Sequence, residues 1–146
     1  MIVKEYDIQC VMKGIMKGSK EGYMVSEYKA DTAGFQLACV NESFKCAWIK
    51  YGSQYSYGSV GVLKRHNESD EVFTLVCGRA SLLTADTDPN KYIIRQLQIG
   101  VAYCVKAGTW HHLAVSEDAL VFVVENSGVS RENTDTISVE EKNLYV

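Results

Sequence analysis

The 146-residue sequence lacks any apolar segment of about 20 residues, the length that a helix needs to cross a bilayer. Its beginning lacks the long apolar stretch of a signal peptide. The five cysteines include no CxxC pair, which fits neither a disulfide framework nor a zinc knuckle. We therefore expect a cytoplasmic protein with no membrane partner, whose cysteines are ordinary core residues in a reducing compartment.

An excess of positive charge is also missing. The 15 lysines and arginines are outnumbered by 18 aspartates and glutamates, for a net charge of -3, and the basic residues are scattered. This balance argues against a nucleic-acid partner. A small anionic substrate held by one or two local cations remains compatible with it.

Long amphipathic helices are absent as well, because no segment repeats its apolar residues with a 3.6-residue period. Short β-rich runs separated by turn signals take their place. We predict strands at 2–12, 22–30, 35–40, 44–51, 59–66, 71–77, 80–85, 92–98, 101–106, 111–115, 119–125 and 135–139. This pattern indicates an all-β barrel or double-sheet jelly roll forming one domain over residues 1–146. Such barrels often hold one small ligand inside.

Two ionisable residues, His66 and Glu71, flank the polar turn Asn67–Asp70. If this turn closes a β-hairpin, the two side chains lie opposite each other with Cβ atoms about 4.5–5.5 Å apart. Lys64, two residues before His66, would share their face. If that face lines the barrel lumen, the three groups form a site. If it faces water, they are ordinary exposed polar residues.

A second candidate segment places Trp110-His111-His112 after a tight turn at Lys106–Thr109. Side chains alternate along a strand, so the two histidines must lie on opposite faces. One of them can enter the lumen, and the sequence leaves open which one.

The spacing of these residues resembles the two motifs of the cupins. Gly58-x5-Lys64-x-His66-x4-Glu71-x6-Gly78 resembles the first motif, G-x5-H-x-H-x3/4-E-x6-G, with lysine in place of the first histidine. Gly100-x5-Lys106-x-Gly108-x2-His111 resembles the second, G-x5-P-x-G-x2-H-x3-N, with lysine in place of proline and Val115 in place of the final asparagine. The resemblance implies a cupin-type double-stranded β-helix with N-terminal strands in 1–57 and both motifs in a core at 58–125. It also implies a homodimer, the usual arrangement for cupins.

Within the cupins, residues 58–146 are most similar to the ureidoglycolate lyase family, also called ureidoglycolate hydrolase. The matching segments are Arg65-His66 with Glu71 and Phe73, Gly100-Val101-Ala102-Tyr103, and Trp110-His111-His112. Glutamate at position 71 stands where that family has glutamine. The likeness implies a carbon–nitrogen lyase of allantoin degradation in purine catabolism, which eliminates urea from ureidoglycolate to give glyoxylate. A closely related lyase or hydrolase of small hydroxy acids or amides is also compatible with it.

This reaction would give the candidate residues distinct roles. His66 or Glu71 would remove the hydroxyl proton, and His111, or His112 in the other register, would protonate the leaving nitrogen. Lys64 or a bound metal would hold the substrate carboxylate, with Tyr103 hydrogen-bonding nearby. The predicted catalytic residues are therefore His66, Glu71 and His111, and the predicted substrate-binding residues are Lys64, Tyr103 and His112.

Likeness to cupins also implies a divalent metal, such as nickel, zinc, manganese or iron, held by His66, Glu71 and His111. Lys64 argues the other way, because an ammonium group donates hydrogen bonds but does not coordinate. Metal-dependent and metal-free lyases are both open at this point. Two further alternatives are a non-catalytic cupin binding module and another metal-dependent cupin enzyme, such as a sugar isomerase.

Overall fold

The computed structural model describes residues 25–58 and 60–142, with side chains up to residue 140. Its strands are β1 (Gly34–Val40), β2 (Phe44–Lys50), β3 (Val60–His66), β4 (Glu71–Cys77), β5 (Ala80–Ala85), β6 (Ile93–Gln96), β7 (Ala102–Val105), β8 (Trp110–Val115), β9 (Leu120–Asn126) and β10 (Thr134–Lys142). A short 3-10 turn, Ser53–Tyr55, lies between β2 and β3. No helix of the described part is long and apolar enough to cross a membrane.

The strands form two antiparallel five-stranded sheets. The first sheet has the order β1-β2-β9-β4-β7, and the second sheet has the order β10-β3-β8-β5-β6. Almost no helix is present in the described residues, so the all-β jelly-roll prediction is confirmed. The sequence pattern explains the layering, since every second residue of β4, beginning at Glu71, is buried while the residues between them are half-exposed.

Apolar side chains of both sheets form the core between them. Its largest members include Phe73 and Leu75 from the first sheet and Leu82 and Leu113 from the second. The second sheet also buries its other face in a separate cluster of Val60, Leu63, Leu83, Ala85, Trp110 and Ala114. Burial on both faces explains why β5 reads as a nearly continuous apolar run instead of an alternating one.

The prediction that residues 59–66 and 71–77 pair as a hairpin is wrong. β3 lies between β10 and β8 in the second sheet, whereas β4 lies between β9 and β7 in the first. The backbone N–H of Asn67 donates to the Asn133 carbonyl at 3.0 Å, and the N–H of Gly108 donates to the His66 carbonyl at 2.7 Å. The Asn67 N–H and the His66 carbonyl thus bond to residues of other loops and not to the start of β4, as they would in a hairpin. The turn at 67–70 therefore crosses from one sheet to the other.

The turn at 106–109 makes the same kind of crossing, from β7 in the first sheet to β8 in the second. His66, Glu71 and His111 stand next to these two crossings, at the end of β3 and at the starts of β4 and β8. The fold thus brings together the sequence-distant ends of strands from both sheets.

Each predicted strand from 35–40 to 135–139 corresponds to one of the strands β1 to β10 in the structure. The predicted strand at 2–12 lies outside the described residues, as do residues 22–24 of the one at 22–30. Residues 26–30 form no strand. The Lys29 carbonyl instead accepts a hydrogen bond of 2.7 Å from the side-chain amide of Gln36, so a side chain anchors this segment to β1.

Candidate functional site

Three of the predicted site residues meet between the two sheets. The side-chain ligand atoms of His66, Glu71 and His111 all lie within 4.8 Å of one another. Strand register explains the convergence, because Lys64 of β3 pairs with His111 of β8 and so brings these two strand ends side by side. Glu71 faces them from the first sheet.

One carboxylate oxygen joins both imidazoles. Glu71 Oε2 lies 2.9 Å from His111 Nε2 and 3.1 Å from His66 Nε2. Glu71 and His111 are buried, and His66 is mostly buried, with 11% of its side chain exposed. The Phe73 ring packs against His111 with 6.1 Å between ring centroids. Phe73 therefore gives the cluster an apolar wall on the side of the core.

The other nitrogen of each imidazole is also bonded. His111 Nδ1 donates to the Thr109 carbonyl at 2.9 Å, and His66 Nδ1 shares a hydrogen bond of 2.8 Å with Thr134 Oγ1. A carbonyl only accepts, so Nδ1 of His111 carries a proton. These outer bonds hold both rings with Nε2 turned towards Glu71.

Burial alone would raise the pKa of Glu71, but hydrogen bonds from His111 and His66 outweigh burial and lower the pKa to about 2. Glu71 is therefore an ionised carboxylate near neutral pH. Its contact with His111 Nε2 joins two acceptors unless Nε2 is protonated or a metal ion lies between them. The contact is therefore suited either to a proton on Nε2 or to a metal ion bound by both groups.

A divalent metal ion fits the donor set. Two imidazole nitrogens and a carboxylate oxygen are ligands suited to zinc and other first-row metals. Adjacent ligands at about 2.0–2.2 Å from an ion lie roughly 2.9–3.6 Å apart. The His66 and His111 contacts to Glu71, 3.1 and 2.9 Å, agree with such spacing. The anchored outer nitrogens supply the second set of contacts that metal-binding histidines need.

Sequence reasoning missed a fourth ionisable residue, Glu125. It lies on β9 directly opposite Glu71 of β4 and is buried, with 8% of its side chain exposed. Its Oε2 atom lies 3.5 Å from His66 Nε2, and its Oε1 atom pairs with Lys45 at 3.1 Å. Burial raises the pKa of Glu125, and the neighbouring charge of Glu71 raises it further. The sequence did contain a signal for Glu125. It follows Val121 and Val123 at two-residue spacing on the same strand, so it lies on the core-facing side as they do.

Tyr55, from the turn before β3, is the second residue that was missed. Burial raises its pKa to about 12, and the charges of Glu71 and Glu125 contribute to the rise. Its ring centroid lies 6.3 Å from that of His112. Tyr55 therefore presents a neutral phenol to the neighbourhood of the two carboxylates.

The three predicted substrate-binding residues lie outside the cluster. Lys64 is exposed on β3. The Tyr103 hydroxyl accepts a hydrogen bond of 2.9 Å from the backbone N–H of Gln98. Burial, followed by the charges of Lys64 and His111, lowers the pKa of His112 to about 4. Of the two adjacent histidines, His111 is the one that contacts Glu71.

No protein-family model matches the chain, and no curated protein matches its sequence. Solved structures do match its fold. A Bacillus halodurans protein is 11% identical with a TM-score of 0.57, over 89% of this chain and 83% of that one. Oxalate decarboxylase from Bacillus subtilis is 16% identical with a TM-score of 0.54, over 73% of this chain but only 29% of the decarboxylase.

A third similar structure is the QdtA 3,4-ketoisomerase of Thermoanaerobacterium thermosaccharolyticum, solved as a variant in complex with TDP. It is 14% identical with a TM-score of 0.51, over 62% of this chain and 63% of the isomerase. The chain has the cupin-type jelly-roll fold that the sequence predicts. Proteins of this fold include enzymes, and at these identities the likeness is one of fold alone.

Proposed function

We propose that the chain is an enzyme acting on a small polar substrate, with a divalent metal ion held by His66, Glu71 and His111. One observation carries the proposal: His111 donates through Nδ1 to Thr109 and turns Nε2 towards the ionised carboxylate of Glu71, 2.9 Å away. A metal ion at that contact would satisfy both groups. The anchored imidazoles and buried carboxylate are the groups that bind a first-row metal.

In the metal-dependent form, these three side chains bind and orient the ion. The ion supplies Lewis-acid polarisation of substrate oxygens when it is bound. Phe73 excludes water from the core side of the site. Tyr55 stays protonated and offers a hydrogen-bond donor, and exposed Lys64 meets an anionic group of a substrate that enters from solvent.

A metal-free lyase is the second candidate, and the same 2.9 Å contact favours it. A proton on His111 Nε2 would satisfy Glu71 as well as a metal would. His111 would then be an imidazolium ready to donate that proton to a leaving nitrogen. His66 would act as the base. The low pKa of Glu71 makes it a poor base near neutral pH, so its role is to hold the two imidazoles.

For the substrate we propose ureidoglycolate, on the resemblance of residues 58–146 to ureidoglycolate lyase. Its hydroxyl carbon also bears a urea nitrogen. Loss of the hydroxyl proton forms the aldehyde carbonyl of glyoxylate as the carbon–nitrogen bond breaks. Urea leaves after its nitrogen has taken up a proton, so the reaction needs one base, one acid and one cation for the carboxylate. His66, His111 and Lys64 match these needs in the metal-free form.

Metal analysis of the purified full chain, combined with a glyoxylate-release assay on ureidoglycolate, tests these proposals. Activity that disappears with a chelator and returns with Zn²⁺ or Mn²⁺ supports the metal-dependent enzyme. Activity that survives the chelator supports the metal-free lyase. Bound metal without glyoxylate release refutes the substrate but keeps the metal site, and the absence of both leaves a binding module.

Variants at the site sharpen this experiment. We expect His66→Ala and His111→Ala to reduce the rate at least a hundredfold while the circular dichroism spectrum is retained. Glu71→Gln removes the charge that both imidazoles contact and should reduce the rate similarly. The control is Glu117→Gln, which makes the same change at an exposed turn residue and should leave the rate unaltered. Rates like the wild type in both histidine variants would refute catalysis at this site.

A further inference from the structure

Glu125 and Glu71 form a pair of buried carboxylates on neighbouring strands. Strands β4 and β9 place them directly opposite each other, both on the inner face of the first sheet. They are 8% and 6% exposed. Like charges directly opposite each other destabilise a sheet, and burial increases the cost. Cations beside the pair, such as Lys45 on the Glu125 side, offset this cost.

The two oxygens of Glu125 face different partners. Oε1 pairs with Lys45 at 3.1 Å, and Lys45 Nζ also donates to the Val129 carbonyl at 2.7 Å. Lys45 is thus anchored from two sides and fixes the orientation of the carboxylate. Oε2 points to His66 Nε2 at 3.5 Å, which is longer than an ordinary N–H···O hydrogen bond. This oxygen is directed at the cluster without a short bond to it.

The usual first histidine of the first cupin motif is replaced here by Lys64. Its side chain is exposed and its ammonium group does not coordinate. The site therefore lacks one ligand on β3, while an additional carboxylate approaches from β9, a strand that carries neither motif.

We propose that Glu125 Oε2 replaces that histidine as the fourth protein ligand of the metal ion, beside His66, Glu71 and His111. This inference rests on the metal site proposed above. The resulting set has two imidazoles and two carboxylates, and the two negative charges neutralise a divalent ion. More oxygen ligands favour harder metals, so Mn²⁺ binding should depend on Glu125 more strongly than Zn²⁺ binding.

The test measures metal affinity and not activity. Mn²⁺ and Zn²⁺ are titrated into the chelator-treated full chain against a coloured competing chelator, for the wild type, Glu125→Gln and the matched control Glu68→Gln. Glu68 is exposed in the turn between His66 and Glu71, so its substitution removes the same charge close to the site. We expect Glu125→Gln to weaken Mn²⁺ at least tenfold and Glu68→Gln to change it less than twofold. Equal Mn²⁺ affinities for Glu125→Gln and the wild type would overturn the proposal.

Glu125→His provides a second readout that does not depend on how well the glutamine variant folds. An imidazole at this position can coordinate but carries no negative charge. We expect it to restore Zn²⁺ affinity to within about threefold of the wild type and to change the visible spectrum of the Co²⁺-loaded protein. If Glu125 only offsets the charge of Lys45, Glu125→His will bind Zn²⁺ no more tightly than Glu125→Gln does, and the Co²⁺ spectrum will be that of the wild type.

The failure of this inference differs from the failure of the proposed metal site. If the wild type binds neither ion, or His111→Asn binds them as well as the wild type does, the metal site itself is wrong and the inference falls with it. If His111→Asn loses the metal while Glu125→Gln and Glu125→His behave as the wild type does, only the role of Glu125 is wrong.

Discussion

His111 Nε2 and Glu71 Oε2 lie 2.9 Å apart, although the two residues belong to different sheets. The contact joins the sheets at the end where the turns 67–70 and 106–109 cross between them. Each residue is held from its own side, His111 by the Thr109 carbonyl and Glu71 by its place in β4. A cation bound at this contact would therefore affect both the stability of the fold and the chemistry of the site.

Metal binding should raise the melting temperature of the wild type. A ligand that binds only the folded state at a hundredfold excess over Kd adds about 2.7 kcal/mol. We expect a rise of several degrees with Zn²⁺ in differential scanning calorimetry and its reversal by a chelator. His111→Asn should show less than a third of this rise. An equal rise in that variant would mean that zinc binds elsewhere.

Removal of the bond between His66 and Thr134 should weaken the metal site without removing a ligand. Thr134→Val loses the Oγ1 atom that lies 2.8 Å from His66 Nδ1. Loss of such an outer contact typically lowers metal affinity by about 10–100-fold. Thr136→Val makes the same change two residues further along β10, at an exposed position, and should have no effect. Equal affinities for the two variants would show that Thr134 does not position the ring.

Acid should destabilise the protein through His112. Burial, with the charges of Lys64 and His111, lowers its pKa from 6.5 to about 4, so the folded state holds this ring neutral. Its contribution to stability is fully present above pH 6.5 and is lost as the pH falls to about 4, because only the unfolded state takes up the proton in that window. The loss is up to about 3 kcal/mol.

Urea unfolding of the chelator-treated protein between pH 7 and pH 4 measures this effect. We expect the stability of the wild type to fall more steeply than that of His112→Gln across the window. The difference between the two curves isolates His112 from the other acid-sensitive groups. Parallel curves would show that the ring is protonated as easily in the folded protein as in the unfolded chain.

Gly78, the glycine that ends the first motif, should be intolerant of a side chain. Its φ of +73° lies in the left-handed region, and a Cβ there would approach the Ala119 Cα to 2.5 Å. We expect Gly78→Ala to cost about 1 kcal/mol for the conformation and about 1–3 kcal/mol for the clash. Gly100, with a φ of +84° and no atom within 4 Å of its added Cβ, provides the control. Equal urea midpoints for Gly78→Ala and Gly100→Ala would contradict the role of the clash.

Much of the strand pattern could be predicted from sequence because its signals are local. The limits of β4 match the predicted 71–77, since a polar turn precedes it and Gly78 follows it. Pairing between strands is not local in this way. The turn Asn67–Asp70 gives the same signal whether the next strand pairs with the preceding one or crosses to the other sheet. The predicted hairpin was wrong for that reason.

In the candidate site, too, local motif spacing could be predicted from sequence and relations that depend on strand pairing could not. His66, Glu71 and His111 were predicted because the motif spacing marks them, and they meet in the structure. Their catalytic and metal-binding roles stay predictions. Glu125 was missed because its relation to Glu71 depends on the pairing of strands that lie 43 residues apart at their nearest ends. The inward position of His111 likewise depends on its register with Lys64.

Lys45 holds both Glu125 and the carbonyl of Val129, which lies in the loop between β9 and β10. At the far end of the same loop, Thr134 begins β10 and bonds to His66. This loop is thus linked to two interior groups, to Glu125 through Lys45 and to His66 through Thr134 at its end. Changes in the length or sequence of this loop can therefore alter the charge around Glu125 and the orientation of the His66 ring, while the packed sheets stay unchanged. In related sequences, we expect changes in this loop to accompany changes in ligand preference.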